Sequence, residues 1–244
     1  MAHDMLRAMQ ALGYARFSVL AHDRGARVAH RLAVDHPSAV QRLVLLDVAP
    51  TLAMYEQTSD AFARAYWHWF FLIQPAPMPE RLIEADPAAY VTEVMGRRSA
   101  GLRPFDQRAL AAYRRAVALP GAAHGLCEDY RASAGIDLEH DRFDRDRGVR
   151  LATPLLALWG RDGVVHRCFE PLAEWRRVAT DVRGKQHRFL GAPVASGLWE
   201  PYGCVAVPNV MNRYVAADGR VGYGEIQEGW FYDTYLRLRA AGQL

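Results

Sequence analysis

The chain has 244 residues, is 51% hydrophobic and 23% charged, and carries a formal net charge of +3. This composition fits a globular chain long enough to bury a sizeable core, and it excludes intrinsic disorder and collagen-like order. All but one of the 30 basic residues are arginine, the exception being Lys185. They are scattered rather than gathered on one face, so nucleic acid is not an expected partner. No apolar run approaches the ~18 residues of a membrane-spanning helix, and the stretch Met1 to Arg7 does not read as a secretory signal. Cys127, Cys168 and Cys204 lack metal-ligand spacing and cannot all pair. Reduced thiols, a cytoplasmic chain, no metal and no membrane partner are the expectations.

The elements follow in chain order. Asp4 to Leu12 has helical spacing, with Met5, Met9 and Leu12 on one face, and Gly13 can end it. Arg16 to Ala21 is a short apolar run of strand length. The segment His22-Asp-Arg-Gly25 interrupts it, and helical spacing resumes from Ala26 to Asp35, stopping before Pro37. Val40 to Leu46 is the strongest strand, closed by Asp47. Strand, tight turn, helix and strand make a βαβ unit and hence a parallel sheet. From Pro50 to Arg150 helical segments alternate with Pro-containing turns, an insertion between sheet elements. Leu155 to Trp159 is a buried strand and Gly160 to Gly163 a turn. Phe169 to Ala179 is a helix, and Val182 opens a further strand. Val215 to Tyr223 has the pattern of a hairpin around Asp-Gly, followed by a helix from Trp230 to Ala241.

The sharpest feature is Ala21-His-Asp-Arg-Gly-Ala-Arg27, where a strand breaks into a helix. A residue on such a turn is held above the C-terminal sheet edge, near the helix-start N–H groups, which is where a nucleophile sits in a G-x-S-x-G elbow. Here the central residue is Asp23 and the flanking residues are small, as expected if strand and helix pass close together. A carboxylate nucleophile suits displacement at an sp³ carbon, giving a covalent ester that water then cleaves. That chemistry points to C–halogen or epoxide substrates. Arg24 and Arg27, on the first helical turn, have forks suited to a bound carboxylate. Read without these neighbours, Asp23 is a helix N-cap beside two solvated arginines.

Five longer stretches extend the pattern: His22 to Leu32, Leu43 to Leu52, Tyr66 to Pro75, Cys127 to Ala132 and Leu158-Trp-Gly160. With them the chain resembles haloacetate dehalogenases of the α/β-hydrolase superfamily, the fluoroacetate dehalogenase group in particular, over roughly residues 4–185. The resemblance implies Asp23 as the nucleophile and Arg24 with Arg27 as the clamp on the haloacid carboxylate. It implies Asp47 as the acid that orients the catalytic histidine, with Asp162 the backup candidate. It implies His68, Trp69 and Tyr130 as donors to the leaving halide, a small haloacid as substrate, and no cofactor. Fluoride is a poor leaving group, so several preorganised donors fit the chemistry.

Two departures accompany the match. The family carries strands ahead of the elbow strand, one of them leading into a loop that supplies an oxyanion-hole amide, and this chain begins just before the elbow. The family's base is a histidine in a Gly-His-Phe segment, whereas Asp181-Val-Arg-Gly184 here runs into Lys185-Gln-His-Arg-Phe-Leu190, leaving His187 as the candidate base. The expected fold is α/β: a partial α/β-hydrolase fold, mostly parallel sheet, with a helical cap insertion. Residues 1–50 are the truncated core with its elbow, 51–150 the cap, 151–186 the return to the core, and 187–244 an unassigned segment. An exposed sheet edge is compatible with a homodimer. The rival readings are an epoxide hydrolase-like enzyme, for which the two arginines lack a purpose, and a catalytically inactive fragment or binding module.

Overall fold

The computed structural model describes residues 1–97, 101–102, 105–187, 212–215 and 221–224. The chain divides into two compact units. One comprises Met1–Pro79 and His124–Arg188, the other Glu80–Ala123 and Phe189–Leu244.

The first unit is built on four parallel strands in the order β1-β2-β3-β4: β1 Phe17–His22, β2 Val40–Leu46, β3 Leu155–Gly160 and β4 Val182–His187. Register is continuous across the sheet, with Leu20 opposite Val44, Leu45 opposite Ala157, and Gly160 opposite His187. Parallel strands end on one side, so Asp23, Asp47 and the backbone of His187 come to the same carboxyl edge. That edge is where ligands bind in open α/β sheets. The sheet with its helices is the α/β-hydrolase architecture expected from sequence.

Most boundaries agree with the spacing. Helix α1 spans Ala2–Ala11, and Gly13 ends it at φ +87, with its N–H donating to Gln10. β2 has the expected limits. Helix α2 spans Asp23–Asp35, three residues earlier than its apolar periodicity, because Arg24 and Gly25 already belong to its first turn. Between β2 and β3 come only helices among the described residues: α3 Thr51–Glu56, α4 Asp60–Ala65, α5 Trp67–Leu72, α6 Met78–Ala85, α7 Pro87–Gly96, α8 Gln107–Val117, α9 Ala122–Ala134 and α10 Ile136–Asp146. After β3, the expected helix is preceded by a short one, α11 Val164–Cys168, and itself runs as α12 Pro171–Val178.

The core lies between sheet and helices. Leu43, Leu45, Leu155 and Ala157 pack with Ala26, Ala29, Leu32 and Ala33 of α2 and with Trp175 of α12. Trp175 Nε1 donates to the Val48 carbonyl at 2.9 Å, fixing α12 to the chain just beyond β2. Gly184 in β4 is required by close packing: a Cβ there would meet Leu172 Cδ1 and Trp159 Cζ3 at 2.9 Å. The small residue in Asp-Val-Arg-Gly therefore has a steric cause. Gly25 does not. A Cβ at that position would meet nothing within 4 Å, so the expected close passage of strand and helix is wrong for Gly25, and the fully buried Ala26 is the residue kept small by contact.

In the second unit, Val91 of α7 and Leu110 of α8 share a small cluster with Phe105, and Arg114 Nη2 donates to Thr92 Oγ1 at 2.8 Å. Where the Asp-Gly hairpin was expected, β5 Asn212–Val215 pairs antiparallel with β6 Val221–Gly224, and the Asp-Gly turn itself lies outside the described residues. The helix expected over Trp230 to Ala241 lies outside the described residues. Among the described residues, no helix is long and apolar enough to cross a membrane.

His30 of α2 is buried edge-on against Trp175, with ring centroids 5.2 Å apart. Burial, with Arg31 and Arg27 adding to it against the opposing charges of Asp144 and Asp35, lowers its pKa from 6.5 to about 4. The fold thus favours neutral imidazole. Its contribution is fully present above pH 6.5 and is lost as the pH falls toward 4, a difference on the order of 3 kcal/mol. Urea unfolding of wild type and His30→Leu between pH 7 and 4 checks this. The wild type should lose more stability than the variant across that window, and parallel losses would contradict it.

Candidate active site

The turn from β1 into α2 forces an unusual backbone. His22 is still extended, at φ −127 and ψ 150, while Asp23 lies in the left-handed region at φ +48. Asp47, directly after β2, is at φ +50. They are the two non-glycine positions with positive φ among the described residues. Such a conformation disfavours L side chains and persists only where the surroundings enforce it. Both fall on acids that sequence reasoning singled out.

Asp47 is 6% exposed. Its N–H donates to the Leu158 carbonyl at 2.7 Å, and its Oδ1 accepts the Gly160 N–H at 3.2 Å. A Cβ on Gly163 would lie 3.4 Å from the same oxygen, so the β3 turn closes tightly over this carboxylate. The backup acid, Asp162, is exposed in that turn. His187 is opposite Gly160 in the sheet, so its backbone is one strand from the amide that holds Asp47. Its side chain lies outside the described residues.

The five residues proposed to bind substrate form one cluster. Arg27 Cζ sits 4.5 Å from the centre of the Trp69 ring, and Arg24 Cζ 4.8 Å from that of Tyr130. Trp69 and Tyr130 are 6.3 Å apart between centroids, and His68 meets Tyr130 edge-on at 5.9 Å. Trp69 is fully buried and its Nε1 has no hydrogen-bond partner. A buried indole N–H is normally satisfied, so it is an obvious donor to something bound.

The two arginines differ sharply. Arg24 is held on α9 by a two-pronged ion pair, Nε to Asp129 Oδ2 at 2.6 Å and Nη2 to Oδ1 at 3.0 Å. Nη2 also reaches the Asp129 carbonyl, and Nη1 the Ser133 hydroxyl, both at 2.9 Å. Burial disfavours its charge, but the hydrogen bonds and charge of Asp129 outweigh that and raise its pKa. Among the described residues, no carboxylate is bonded to Arg27. Nη1 donates to Thr51 Oγ1 at 3.1 Å and weakly to the Ala49 carbonyl, Nη2 approaches Met54 Sδ at 3.2 Å, and Nε is buried without a partner. Burial therefore wins and lowers its pKa, against the opposing charge of Asp23.

Sequence reasoning missed Asp129, Ser133 and Tyr55. Asp129 stands next to Tyr130 in a stretch already singled out, and Ser133 follows it at helical spacing. An arginine pair in search of acids was the available signal. Tyr55, near the end of α3, lies tilted against Trp69 at 5.1 Å between centroids, with its hydroxyl buried beside Ser133. Burial raises its pKa, opposed by the charges of Arg27 and Arg24.

Residues 1–184 match the family described as alpha/beta hydrolase fold. The chain belongs to that family. It is 44% identical over 176 residues to a fluoroacetate dehalogenase of Burkholderia sp, covering 72% of this chain and 57% of that protein. It is 29% identical over 190 residues to a soluble epoxide hydrolase of Corynebacterium sp. (strain C12), covering 75% of this chain and 63% of that protein. A solved structure from Nostoc sp PCC 7120, provisionally described as an alpha/beta hydrolase, superposes with a TM-score of 0.72 at 48% identity, over 77% of this chain and 64% of that one. The chain thus spans roughly three fifths of the length of these relatives.

A buried cation with no acid bonded to it burdens the fold, and replacing it with an apolar side chain of similar length removes its desolvation cost. Arg27→Met should be no less stable than wild type and up to about 4 kcal/mol more stable. Urea unfolding at neutral pH measures it, and a marked loss of stability in the variant would contradict the assignment of Arg27 as an unbalanced charge.

Proposed function

We propose that this chain belongs to a hydrolase that cleaves the carbon–halogen bond of a small haloacid through an aspartate nucleophile. The observation that carries the reading is Arg27: a buried guanidinium with an unpartnered Nε and no bonded carboxylate, one helical turn from Asp23. A small anion is the partner such a group lacks.

In this reading the substrate carboxylate rests on Arg27 and the halogen-bearing carbon faces Asp23. A carboxylate oxygen of Asp23 displaces the halide. The C–O ester bond forms, the C–X bond breaks, and the halide leaves with the bonding pair. Trp69 Nε1, with His68 and Tyr130 beside it, stabilises the negative charge growing on the halogen. Water then adds to the ester carbonyl and yields a proton to a base. The acyl C–O bond breaks, releasing the hydroxyacid and restoring the Asp23 carboxylate. His187 is the proposed base and Asp47 its orienting acid. The support for this pair is the register that sets His187 opposite Gly160, whose N–H donates to Asp47.

An epoxide is the competing substrate. The buried Tyr55 hydroxyl, against Trp69 in the same cluster, favours it, as a donor to the epoxide oxygen. A neutral epoxide leaves Arg27 without a counterion, so the haloacid is preferred.

Incubation with chloroacetate and analysis of both chloride and protein mass tests the reading. A carboxymethyl adduct on the peptide containing Asp23, with chloride release, is expected in wild type and absent in Asp23→Asn. Release that persists unchanged in Asp23→Asn would overturn it.

A further inference from the structure

The proposed haloacid reading gives no task to the Tyr55 hydroxyl. The Tyr55 residue is only partly buried, yet its hydroxyl is fully so. A tyrosine near a surface ordinarily does the reverse, burying its ring and leaving the polar tip in water. The ring lies against Trp69, the same indole that Arg27 covers, and the charges of Arg27 and Arg24 both act on the hydroxyl. Beside it is Ser133 of α9, which is fully buried. The Ser133 oxygen accepts an N–H of Arg24 Nη1 at 2.9 Å. A serine hydroxyl has one proton and two lone pairs, so accepting from Arg24 leaves the proton for a second partner. The second N–H of Arg24 Nη1 has no bonded acceptor among the described residues, and Arg27 Nε is buried without a partner. Both guanidiniums therefore keep a donor for a ligand, with the phenol next to them.

We infer that the Tyr55 hydroxyl is a third donor of the ligand-carboxylate subsite, added to the arginine pair and aimed by Ser133. The inference rests on the proposed haloacid reading, because it takes a carboxylate as the ligand. Ser133, held by Arg24, donates its proton to the Tyr55 oxygen, and the phenolic O–H is left to donate to the carboxylate. Each hydroxyl in this chain is polarised by the donor before it, which strengthens the last bond. The two oxygens of a carboxylate have enough lone pairs for both arginines and the phenol. An amide in the same place offers one oxygen and sets its own N–H groups against the remaining donors. Tyr55 is thus a specificity-determining residue and Ser133 a positioning residue. The epoxide reading gives the same hydroxyl to the reacting oxygen, and the two assignments predict different kinetics.

Calorimetric titration with acetate, and the rate of adduct formation on the Asp23 peptide as chloroacetate concentration is raised, test this on the full chain. Tyr55→Phe keeps the ring against Trp69 and removes only the hydroxyl. It should weaken acetate binding ~10-fold, the loss of one hydrogen bond to a charged group. It should raise the half-saturating chloroacetate concentration by a similar factor and lower the maximal rate of alkylation less than ~3-fold, the pattern of a contact made equally in ground and transition states. Ser133→Ala should also weaken acetate, and should cost less in the Tyr55→Phe background than in wild type, because it acts partly through that hydroxyl. Unchanged acetate affinity in Tyr55→Phe would overturn the inference. So would a ~10-fold fall in its maximal rate at unchanged half-saturation, which puts the hydroxyl at the reacting atoms. Fully additive losses in the double variant would overturn the role of Ser133. If wild type binds no acetate and forms no adduct, the haloacid reading itself fails.

Discussion

Holding the Arg27 guanidinium inside the protein without an acid bonded to it costs several kcal/mol, because desolvation is only partly offset by neutral acceptors. The rest of the site is arranged around that charge. The Trp69 ring covers it, Thr51 and the Ala49 carbonyl accept from it, and Asp23 lies one turn away on the same helix. A fold selected for stability alone would replace it with an apolar side chain. Its retention makes sense when a negatively charged ligand supplies the missing partner, which is how functional sites come to carry local destabilisation.

The sheet makes the arrangement rigid. Four parallel strands bring Asp23, Asp47 and the His187 backbone to one edge, and the left-handed backbone at Asp23 and Asp47 turns the chain there. α5 and α9 then supply the aromatic groups and the acid that holds Arg24. The charge balance is local: Asp129 answers Arg24, and Asp144 and Asp35 answer Arg31, whereas Arg27 has no ion pair with an acid among the described residues. The relatives it resembles include both a fluoroacetate dehalogenase and an epoxide hydrolase.

Much of this was legible in the sequence. β2 reads as a strand because Val40 leads into the apolar run Leu43 to Leu46, closed by an acid, and the elbow is legible because a strand period gives way to a helical one at Asp23. Gly184 was noticed as part of a motif, but its steric cause appears only when Leu172 and Trp159 are seen against it. The flanking Gly25 was credited with a close contact it does not make. Arg24 and Arg27 are equivalent on paper, both being arginines on the first turn of α2. What separates them is Asp129, more than a hundred residues later, and pairing across such a separation leaves no local signature. Tyr55 was hidden for the same reason, since only tertiary packing buries its hydroxyl.

The central claim is that the interior of this protein holds a positive charge awaiting a carboxylate. Thermal unfolding at constant ionic strength, in acetate and in its neutral isostere acetamide, tests it most directly. Acetate should raise the unfolding temperature progressively with concentration, as a ligand that binds only the native state must, while acetamide should leave it unchanged. Equal effects of the two, or none from either, would contradict the account.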